Sequence, residues 1–578
     1  MQKKSTSPSP QTILVRDPDK GTFNLVTLYG PKLRAKKVAP PTMAPAAFEM
    51  PKTKQKVVIL GAGISGLITA YYLLKSGREK FDVSILEANA KVGGRSLTLR
   101  DGDKLTEVVT VNGRETKWEQ TCKLEDEHPR EPEIPKPYLN AGPGRIPSGH
   151  FNMLNLCKEL KVDLEVYIME SRSNRVYTNA AGKPMINRQM ANDARGYIAQ
   201  DLWEFIFNSP QPNEKYLDLL KNFGALTENN PRSFTYQGSQ RAGFEFLPGI
   251  NQGKLAKPIS KSELLKSGFW KVPFYQPEDF LWQATSFQPV GGMDMIGKAL
   301  EREIKKLGGE IKIATPVNRV IRTRDGKWNI FYGSGRLNIE ADICLCNIPI
   351  PLMKDKINLA DFSGDFRNDF DSVIKNEKFL RPTCKVGWQA PRKLWQDVKN
   401  PGGPNTVIPI FGGISYTEHP MTQMWYPSDR FHDRLGVLTG AYNYANNAER
   451  WGNLKPQDRL KEARTGAGQL HDTEFASGLT NGITIAWQNI PTQRGGWVDW
   501  QYVAEKPEEQ ARIMNTIRKG QHNFHVIGDQ VSWLPGWKEG AAAVASEIFG
   551  VLTKVKDFSI LEIEQVPNTA ALVQGHMY

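Results

Sequence analysis

Residues 57–67 read Val57-Val58-Ile59-Leu60-Gly61-Ala62-Gly63-Ile64-Ser65-Gly66-Leu67. The four apolar residues predict a buried strand, and three glycines with the spacing G-x-G-x-x-G follow it at once. We expect these glycines to open an amphipathic helix that runs from Leu67 to Ser76. A backbone without Cβ atoms can approach a pyrophosphate closely, and a helix N-terminus offers it free N–H groups. The stretch therefore predicts the dinucleotide-binding turn of a βαβ unit.

The second strand of this unit is predicted to end in an acid. The apolar run from Asp82 to Leu86 leads to Glu87, about 20 positions after the last glycine, the interval at which a carboxylate meets a ribose hydroxyl. Arg95 follows two adjacent glycines, and its guanidinium can place a positive charge on the second phosphate of the dinucleotide. The cofactor-binding residues predicted in this half of the site are Gly61, Gly63, Ile64, Ser65, Gly66, Glu87, Ala88, Gly93, Gly94 and Arg95.

Length and composition indicate an ordinary globular protein of two or three domains, with 578 residues, 39% of them hydrophobic and 24% charged. The net charge of +13 comes without a long basic run that interleaves aromatics, so we predict no nucleic-acid partner. No apolar run is long enough to span a bilayer, and no signal-peptide core is present. Five scattered cysteines predict no disulfide framework. We therefore expect a cytoplasmic protein without a membrane partner, although an unconventional export route stays open.

The two ends of the chain are predicted to share one domain. The apolar segment from Phe524 to Asp529 predicts a second strand of nucleotide-binding type, and an alanine-rich helix from Gly540 to Thr553 follows it. No metal site is predicted, since His522 and His525 have no third ligand nearby. The predicted organisation is an N-terminal extension or pro-segment at 1–55, a discontinuous nucleotide-binding domain at 56–102, 285–352 and 505–560, a substrate-binding domain at 103–150 and 353–504, a helical domain at 151–284 and a C-terminal tail at 561–578.

The motif from Glu87 to Arg95, E-A-x(4)-G-G-R, is typical of FAD enzymes rather than NAD enzymes. In this and several separate motifs, over about residues 55–555, the chain resembles the flavin amine oxidase superfamily, which includes monoamine, polyamine and L-amino acid oxidases. The resemblance implies an α/β fold, in which a discontinuous Rossmann-like FAD-binding domain carries an inserted antiparallel-sheet substrate domain and a helical domain.

A second motif, Leu139-Asn140-Ala141-Gly142-Pro143-Gly144-Arg145-Ile146-Pro147, is similar to the G-P-x-R-x-P segment of the L-amino acid oxidase family. The sequence of this motif is most similar to that of bacterial L-phenylalanine oxidase-like enzymes. The resemblance implies that Arg145 grips the substrate carboxylate, and a guanidinium is the two-pronged, permanently charged match for that group. A contact of Arg145 with flavin or with a structural acid is the alternative. The cofactor-contacting residues predicted here are Gly142, Pro143, Gly144 and Arg145.

Two aromatic-rich segments carry further matches. The resemblance implies that the hydroxyl of Tyr442 is a second carboxylate ligand and that Lys385 holds a water beside flavin N5. A surface position on an edge strand is the alternative for Lys385. Backbone groups of Val317 are expected to read the adenine edge.

The segments Gly528-Asp529 and Gly536-Trp537-Lys538-Glu539-Gly540-Ala541 resemble the C-terminal FAD motif of the family, G-E … G-W-x-x-G-A. Asp529 replaces the usual Glu and is expected to meet the ribityl chain. Trp537 is expected to form a wall of an aromatic cage, and Gly536 to direct the substrate amine together with it. No Cys follows Cys384, so the FAD is predicted to be non-covalent.

The resemblance implies FAD-dependent oxidative deamination of an L-α-amino acid, with O2 as the acceptor and a 2-oxo acid, ammonia and H2O2 as products. A large or aromatic amino acid is favoured. The alternatives are a monooxygenase that yields an amide and CO2, an oxidase for a basic L-amino acid, a polyamine or monoamine oxidase, and a non-catalytic flavin- or nucleic-acid-binding protein. We expect a homodimer or a higher homo-oligomer.

Overall fold

The computed structural model describes residues 11–16, 23–28 and 51–553, apart from residues 112, 231–232, 280–281 and 398–408. Within the predicted N-terminal extension, strands Gln11–Arg16 and Phe23–Leu28 pair as an antiparallel hairpin. The predicted C-terminal tail at 561–578 lies outside the described residues.

A five-stranded parallel sheet forms the centre of the nucleotide-binding region. Its strands in spatial order are Glu310–Lys312, Phe81–Leu86, Gln55–Leu60, Ile343–Cys346 and Phe524–Val526. The strand predicted at 57–60 lies in the middle, and these four residues are fully buried. Strands from the beginning, the middle and the end of the chain therefore pair in one sheet, which confirms the predicted α/β fold.

The helix that follows the glycines runs from Ile64 to Gly77, three residues earlier than predicted. It is not amphipathic, because nearly all of its side chains are buried. The helices Met295–Lys306 and Lys538–Thr553 pack against it and cover the faces that the sequence pattern left to solvent. A helix that is apolar on all sides is typical of a position inside the core.

The core around the parallel sheet extends beyond the predicted domain boundary at residue 352. The aromatic side chains of Phe362, Phe366 and Phe370 belong to it and contact Phe524 of the last parallel strand. The elements that complete this region are the helices Gly364–Ile374 and Pro507–Lys519 and the antiparallel strands Val317–Arg322, Trp328–Tyr332 and Leu337–Ala341.

A seven-stranded, mostly antiparallel sheet forms the second layer of the molecule. Its strands in spatial order are Pro184–Ile186, Arg175–Tyr177, Ile414–Thr417, Gln423–Trp425, Leu435–Tyr444, Thr383–Pro391 and Thr480–Ala486. The helices Ala445–Gly452, Pro456–Leu470 and Thr473–Gly478 pack beside it. The first two strands fall inside the range predicted for the helical domain, so the sheet takes residues from that range.

The region predicted to be helical contains the helices Phe151–Glu159, Asn187–Phe207, Glu214–Gly224 and Lys261–Ser267. The first of these packs against helix Lys538–Thr553 through the nucleotide-binding core. Strand Leu164–Ile168, near the start of this region, pairs with strand Thr285–Pro289, which directly follows its end. Among the described helices, none combines the length and the apolarity that crossing a membrane requires.

An ion pair between Glu107 and Arg459 joins a hairpin, Lys104–Val111 with Arg114–Thr121, to helix Pro456–Leu470. Both side chains are 0% exposed, and the two pairs of atoms lie 2.8 and 2.6 Å apart. The carboxylate also accepts hydrogen bonds from the Ala486 N–H and the Asn489 amide. Its lone pairs are thus well satisfied, as a buried charge requires.

We predict that Arg459→Met lowers the free energy of unfolding by about 3–5 kcal/mol, because it leaves an unpaired carboxylate in the core. The double variant Glu107→Leu/Arg459→Met should recover a large part of this loss. Denaturant unfolding of the three proteins checks the prediction. A double variant no more stable than the single one would show that the cost is lost packing rather than an uncompensated charge.

Candidate active site

A cavity of about 880 Å³ lies between the carboxyl ends of the parallel strands and the seven-stranded sheet. Its volume is typical of a small-molecule or cofactor site. The predicted site residues that line it are Gly61, Gly63, Ile64, Ser65, Glu87, Ala88, Gly93, Gly94, Arg95, Gly142, Pro143, Gly144, Arg145, Val317, Lys385, Tyr442, Gly528, Asp529, Gly536 and Trp537.

Gly66 is the predicted residue that the structure places outside the cavity wall. A Cβ atom at this position would lie 2.6 Å from the carbonyl oxygen of Gly61 and 3.0 Å from a methyl group of Ile59. The third glycine therefore permits close packing of the helix on its strand. The prediction that Gly66 itself contacts the cofactor is not supported by its position.

The carboxylate of Glu87 lies at the nucleotide end of the cavity. It accepts hydrogen bonds from the Ala62 N–H at 2.7 Å and from the Asn89 N–H and side-chain amide at 2.8 and 2.7 Å. Burial raises the pKa of Glu87, while these hydrogen bonds oppose the rise. Glu87 therefore holds the glycine turn against the second strand in addition to lining the cavity.

Arg95 and Asp529 form an ion pair across the same end of the cavity. Arg95 also donates to the Gly496 carbonyl at 2.8 Å, and the second oxygen of Asp529 accepts the Gly536 N–H at 2.7 Å. We expected the Arg95 charge to serve a phosphate, but the structure pairs it with the carboxylate of the C-terminal motif. The pair thus connects the two predicted halves of the site.

Arg145 lies at the opposite end of the cavity and is 6% exposed. Its guanidinium carbon lies 4.4, 5.2 and 5.6 Å from the ring centres of Trp282, Trp425 and Trp537. Within the described part of the chain, its Nε has no hydrogen-bond partner, and the groups that act on its pKa are tyrosines rather than carboxylates. Burial lowers the pKa of Arg145, and its main polar neighbour is the Tyr167 hydroxyl. A buried cation in this state is suited to an anion from outside the chain.

Lys385 lies on the central strand Thr383–Pro391 and is 2% exposed, which excludes the alternative of a surface position on an edge strand. Its Nζ donates to the carbonyl oxygens of Asn140 and Gly142 at 3.2 and 2.5 Å. Burial, and then the charge of Arg145, holds the pKa of Lys385 well below its usual range. The structure therefore places at the cavity wall an amine whose protonated form is disfavoured by burial and by a neighbouring charge.

Tyr442 pairs with Lys385 across neighbouring strands, and its ring packs edge-on against Trp425 at 4.8 Å. Burial raises the pKa of the Tyr442 hydroxyl, so the group stays protonated and can donate a hydrogen bond. The neighbouring charge of Arg145 acts in the opposite direction on this pKa. Arg145, Lys385 and Tyr442 thus lie at one end of the cavity, as the sequence predicts.

Trp537 lines the cavity together with two buried bases, His150 and Lys538. Its ring packs edge-on against His150 at 4.9 Å and against Trp282 at 5.6 Å. Burial, followed by the charges of Arg145 and Lys538, lowers the pKa of His150 to about 4. Burial also lowers the pKa of Lys538 to about 7. Both side chains line the cavity, and neither is a carboxylate.

The residues present fit FAD. At Gly142 an added Cβ would lie 1.8 Å from the Arg95 carbonyl oxygen, so two backbone segments of the cavity wall pack directly against each other at this point. Buried polar atoms around the cavity also lack partners among the described residues, namely Ser65 Oγ, Arg145 Nε, His150 Nε2 and Lys538 Nζ. A glycine-lined nucleotide end, an unpartnered polar surface and an aromatic far end suit a long cofactor with a polar tail and a flat ring.

Sequence reasoning missed several residues that shape the site. Trp282 stacks on Arg145 from a segment that carried no recognisable motif, and Trp425 lies on a short strand in the aromatic-rich region. Asn347 lines the cavity after strand Ile343–Cys346, with its side chain against the glycine turn. An Asn directly after a buried apolar strand was the available signal for this residue, while no local signal marks Trp282.

Residues 64–543 match the family described as flavin containing amine oxidoreductase. A putative L-amino-acid oxidase, YobN, of Bacillus subtilis (strain 168) is 21% identical over 509 residues, which cover 84% of this chain and 92% of the relative. The L-amino acid oxidase of Cerastes cerastes is 44% identical over 450 residues, which cover 70% and 69%. The structure of cyclohexylamine oxidase from Brevibacterium oxydans IH-35A superposes with a TM-score of 0.52 at 15% identity, over 87% of this chain and 99% of that one.

The family match spans most of the chain and includes most of the segments that line the cavity. FAD is the cofactor of this family, and an oxidoreductase is the class of enzyme that it contains. The chain therefore belongs to the flavin-containing amine oxidoreductases and, within them, to the L-amino acid oxidase family.

Proposed function

We propose that this protein binds FAD non-covalently and oxidises L-α-amino acids, preferably large or aromatic ones, to 2-oxo acids with release of ammonia and H2O2. The observation that carries the proposal is Arg145, a buried guanidinium surrounded by tryptophans and without a carboxylate partner in the described residues. Removing a guanidinium from water without a partner is costly, so the site gains most from a ligand that brings an anion. An amine without a carboxylate gives Arg145 no such partner.

Arg145 and the side chains around it can bind the substrate carboxylate and also contact an apolar substrate side chain. Two guanidinium N–H groups can hold both oxygens of a carboxylate, and the Tyr442 hydroxyl can donate a further hydrogen bond. The rings of Trp282, Trp425 and Trp537 offer apolar surface to a large side chain. Fixing the carboxylate in this way orients the Cα–H bond, which is the main demand of hydride transfer.

The chain's own groups also favour the neutral amine that oxidation requires. Lys385, whose protonated form is disfavoured by burial and by the charge of Arg145, lines the cavity as a candidate acceptor for a proton of the substrate ammonium. Bound FAD would supply the two-electron acceptor, taking hydride from the substrate Cα and passing the electrons to O2. The low exposure of Lys385 and Arg145 excludes bulk water from the point where the imino acid forms.

The acids of the cavity argue against a basic amino acid as substrate. Glu87 and Asp529 are engaged at the nucleotide end, and Asp355 and Glu377 are exposed at its surface. The described residues around Arg145 thus offer no carboxylate to a cationic side chain. Non-covalent binding is supported by the cysteines, since the cavity lining includes none of the five.

We predict that Arg145→Leu keeps its yellow flavin but loses turnover. The ratio kcat/KM should fall by about 10²- to 10³-fold, because removing one partner of a buried charge pair costs roughly 2–5 kcal/mol. Arg145→Lys, which keeps the charge and loses the two-pronged geometry, should fall between this variant and the wild type. Anaerobic bleaching of the flavin by each of the twenty L-amino acids gives the measurement.

Product analysis completes this test. H2O2 and a 2-oxo acid support the oxidase, whereas an amide and CO2 would identify a monooxygenase. A normal kcat/KM in the Arg145→Leu protein would contradict the carboxylate assignment. Failure of every L-amino acid to bleach the wild-type flavin would overturn the proposed function as a whole.

We predict that Gly142→Ala yields protein with little flavin, because its Cβ would clash with the Arg95 carbonyl and force the cavity wall apart. Gly149→Ala is the matched control, since a Cβ there meets nothing within 4 Å. The measurement is the ratio of acid-released flavin to purified protein. Equal ratios in the two variants would show that this wall does not hold the cofactor.

A further inference from the structure

A second cavity of about 80 Å³ adjoins the active-site cavity. We call it the side chamber; Gly144, Lys385 and Trp425 line both it and the main cavity. Much of the remaining wall comes from strand Leu435–Tyr444, from the loop before Asn140 and from residues 426–430. The mechanism proposed above gives this space no role.

Lys385 forms the partition between the two spaces. Its Nζ donates to the Gly142 carbonyl at 2.5 Å, and Gly142 lines the main cavity. The same nitrogen donates to the Asn140 carbonyl at 3.2 Å, and Asn140 lines the side chamber. One amine thus has a hydrogen bond to the wall of each space.

The chamber is built to hold water. Arg392 lines it with 1% exposure, and its Nε and Nη1 have no hydrogen-bond partner in the part of the chain that the structure describes. Its Nη2 lies 3.6 Å from Asp429. Buried N–H groups require partners, and each water needs only about 10–15 Å³ of such a space. The chamber therefore has both the room and the unsatisfied donors for a short chain of waters.

The far end of the chamber reaches the surface. Glu125 is exposed there, and Glu127 and Arg430 are partly exposed. Between this end and Lys385 lies Gln389, which exchanges two hydrogen bonds with the backbone of Glu125 at 2.9 and 2.8 Å. Polar groups thus continue from the buried amine to solvent.

A proton has to leave this site if the proposed function holds. An amino acid arrives with an ammonium group, and hydride can leave Cα only once the nitrogen lone pair is free. The described residues around Arg145 include no carboxylate to accept that proton. Lys385 is the amine at this end of the cavity that also has a hydrogen bond to the wall of a second, polar space.

We propose that the side chamber is a water-filled proton exit, which carries the proton lost by the substrate ammonium from Lys385 to the surface at Glu125 and Glu127. The N–H bond of the ammonium breaks, and its electron pair stays on nitrogen. The proton passes to Lys385 Nζ, then to chamber water, and leaves as hydronium to bulk solvent. The proposal rests on the proposed function, because it needs an ammonium substrate.

The test closes the chamber without touching the residues that bind substrate. Val437 lines its wall on strand Leu435–Tyr444, and Val437→Phe would fill the space with a ring. We expect flavin reduction, measured anaerobically by stopped flow, to slow by at least about tenfold, within the 10²- to 10⁴-fold that proton transfer contributes in enzymes. The solvent deuterium isotope effect should rise and the Cα-deuterium isotope effect should fall, because proton exit becomes limiting.

Val437→Ala is the matched control, since it enlarges the chamber at the same position and should leave both isotope effects unchanged. Val437→Leu, which fills the space partly, replaces the Phe variant if that protein does not accumulate with flavin. A filled variant that binds flavin and keeps the wild-type rate and isotope effects overturns the proposal. If no L-amino acid reduces the wild type, the proposed function fails first, so the two failures are distinguishable.

A crystal structure supplies a readout that does not depend on activity. The wild-type protein should show ordered water at Nε and Nη1 of Arg392, and Val437→Phe should displace it. A chamber without ordered water in well-resolved density would overturn the proposal.

Discussion

The ion pair between Arg95 and Asp529 joins groups that lie 434 positions apart in the chain. Arg95 follows the strand Phe81–Leu86, and Asp529 follows the strand Phe524–Val526. Asp529 also accepts a hydrogen bond from the N–H of Gly536, the residue before Trp537. Only when the first and last parallel strands lie in one sheet can these groups meet. The cavity, the aromatic end and the position of Arg145 all depend on this closure, since each is bounded by both halves of the chain.

The catalytic end of the cavity is held in an electrostatically unfavourable state. Arg145, Lys385 and Lys538 are buried near one another, and their mutual repulsion adds to the cost of burial in lowering the pKa of Lys385. A protein selected only for stability would replace such groups by apolar ones of similar size. The aromatic rings around Arg145 offset part of the cost, because a cation over a ring face is attracted to it. The remainder is available to a ligand that brings a negative charge.

Local motifs explain which parts could be predicted from the sequence. The glycine turn and Glu87 could be predicted from their spacing, and the segment around Arg145 from its resemblance to a family motif, because each is a short local pattern; Gly61, Gly63, Glu87 and Arg145 all line the cavity. The prediction that helix Ile64–Gly77 is amphipathic was wrong. The helices that cover it come from residues 295–306 and 538–553, and a local pattern cannot show such distant partners. Trp282 was missed for the same reason, since its contact with Arg145 spans most of the helical region. The pairing of Arg95 with Asp529 likewise depends on strands from distant parts of the chain lying in one sheet.

The charges at this end also couple binding to proton transfer. In the free protein the charge of Arg145 is one of the causes that lower the pKa of Lys385. A substrate carboxylate bound to Arg145 would cancel most of that charge at a distance where interactions between buried groups are strong. The proton affinity of Lys385 would then rise at the moment when an ammonium arrives beside it. The same carboxylate that orients the substrate would therefore prepare the base that deprotonates it, and an amine without a carboxylate would have neither effect.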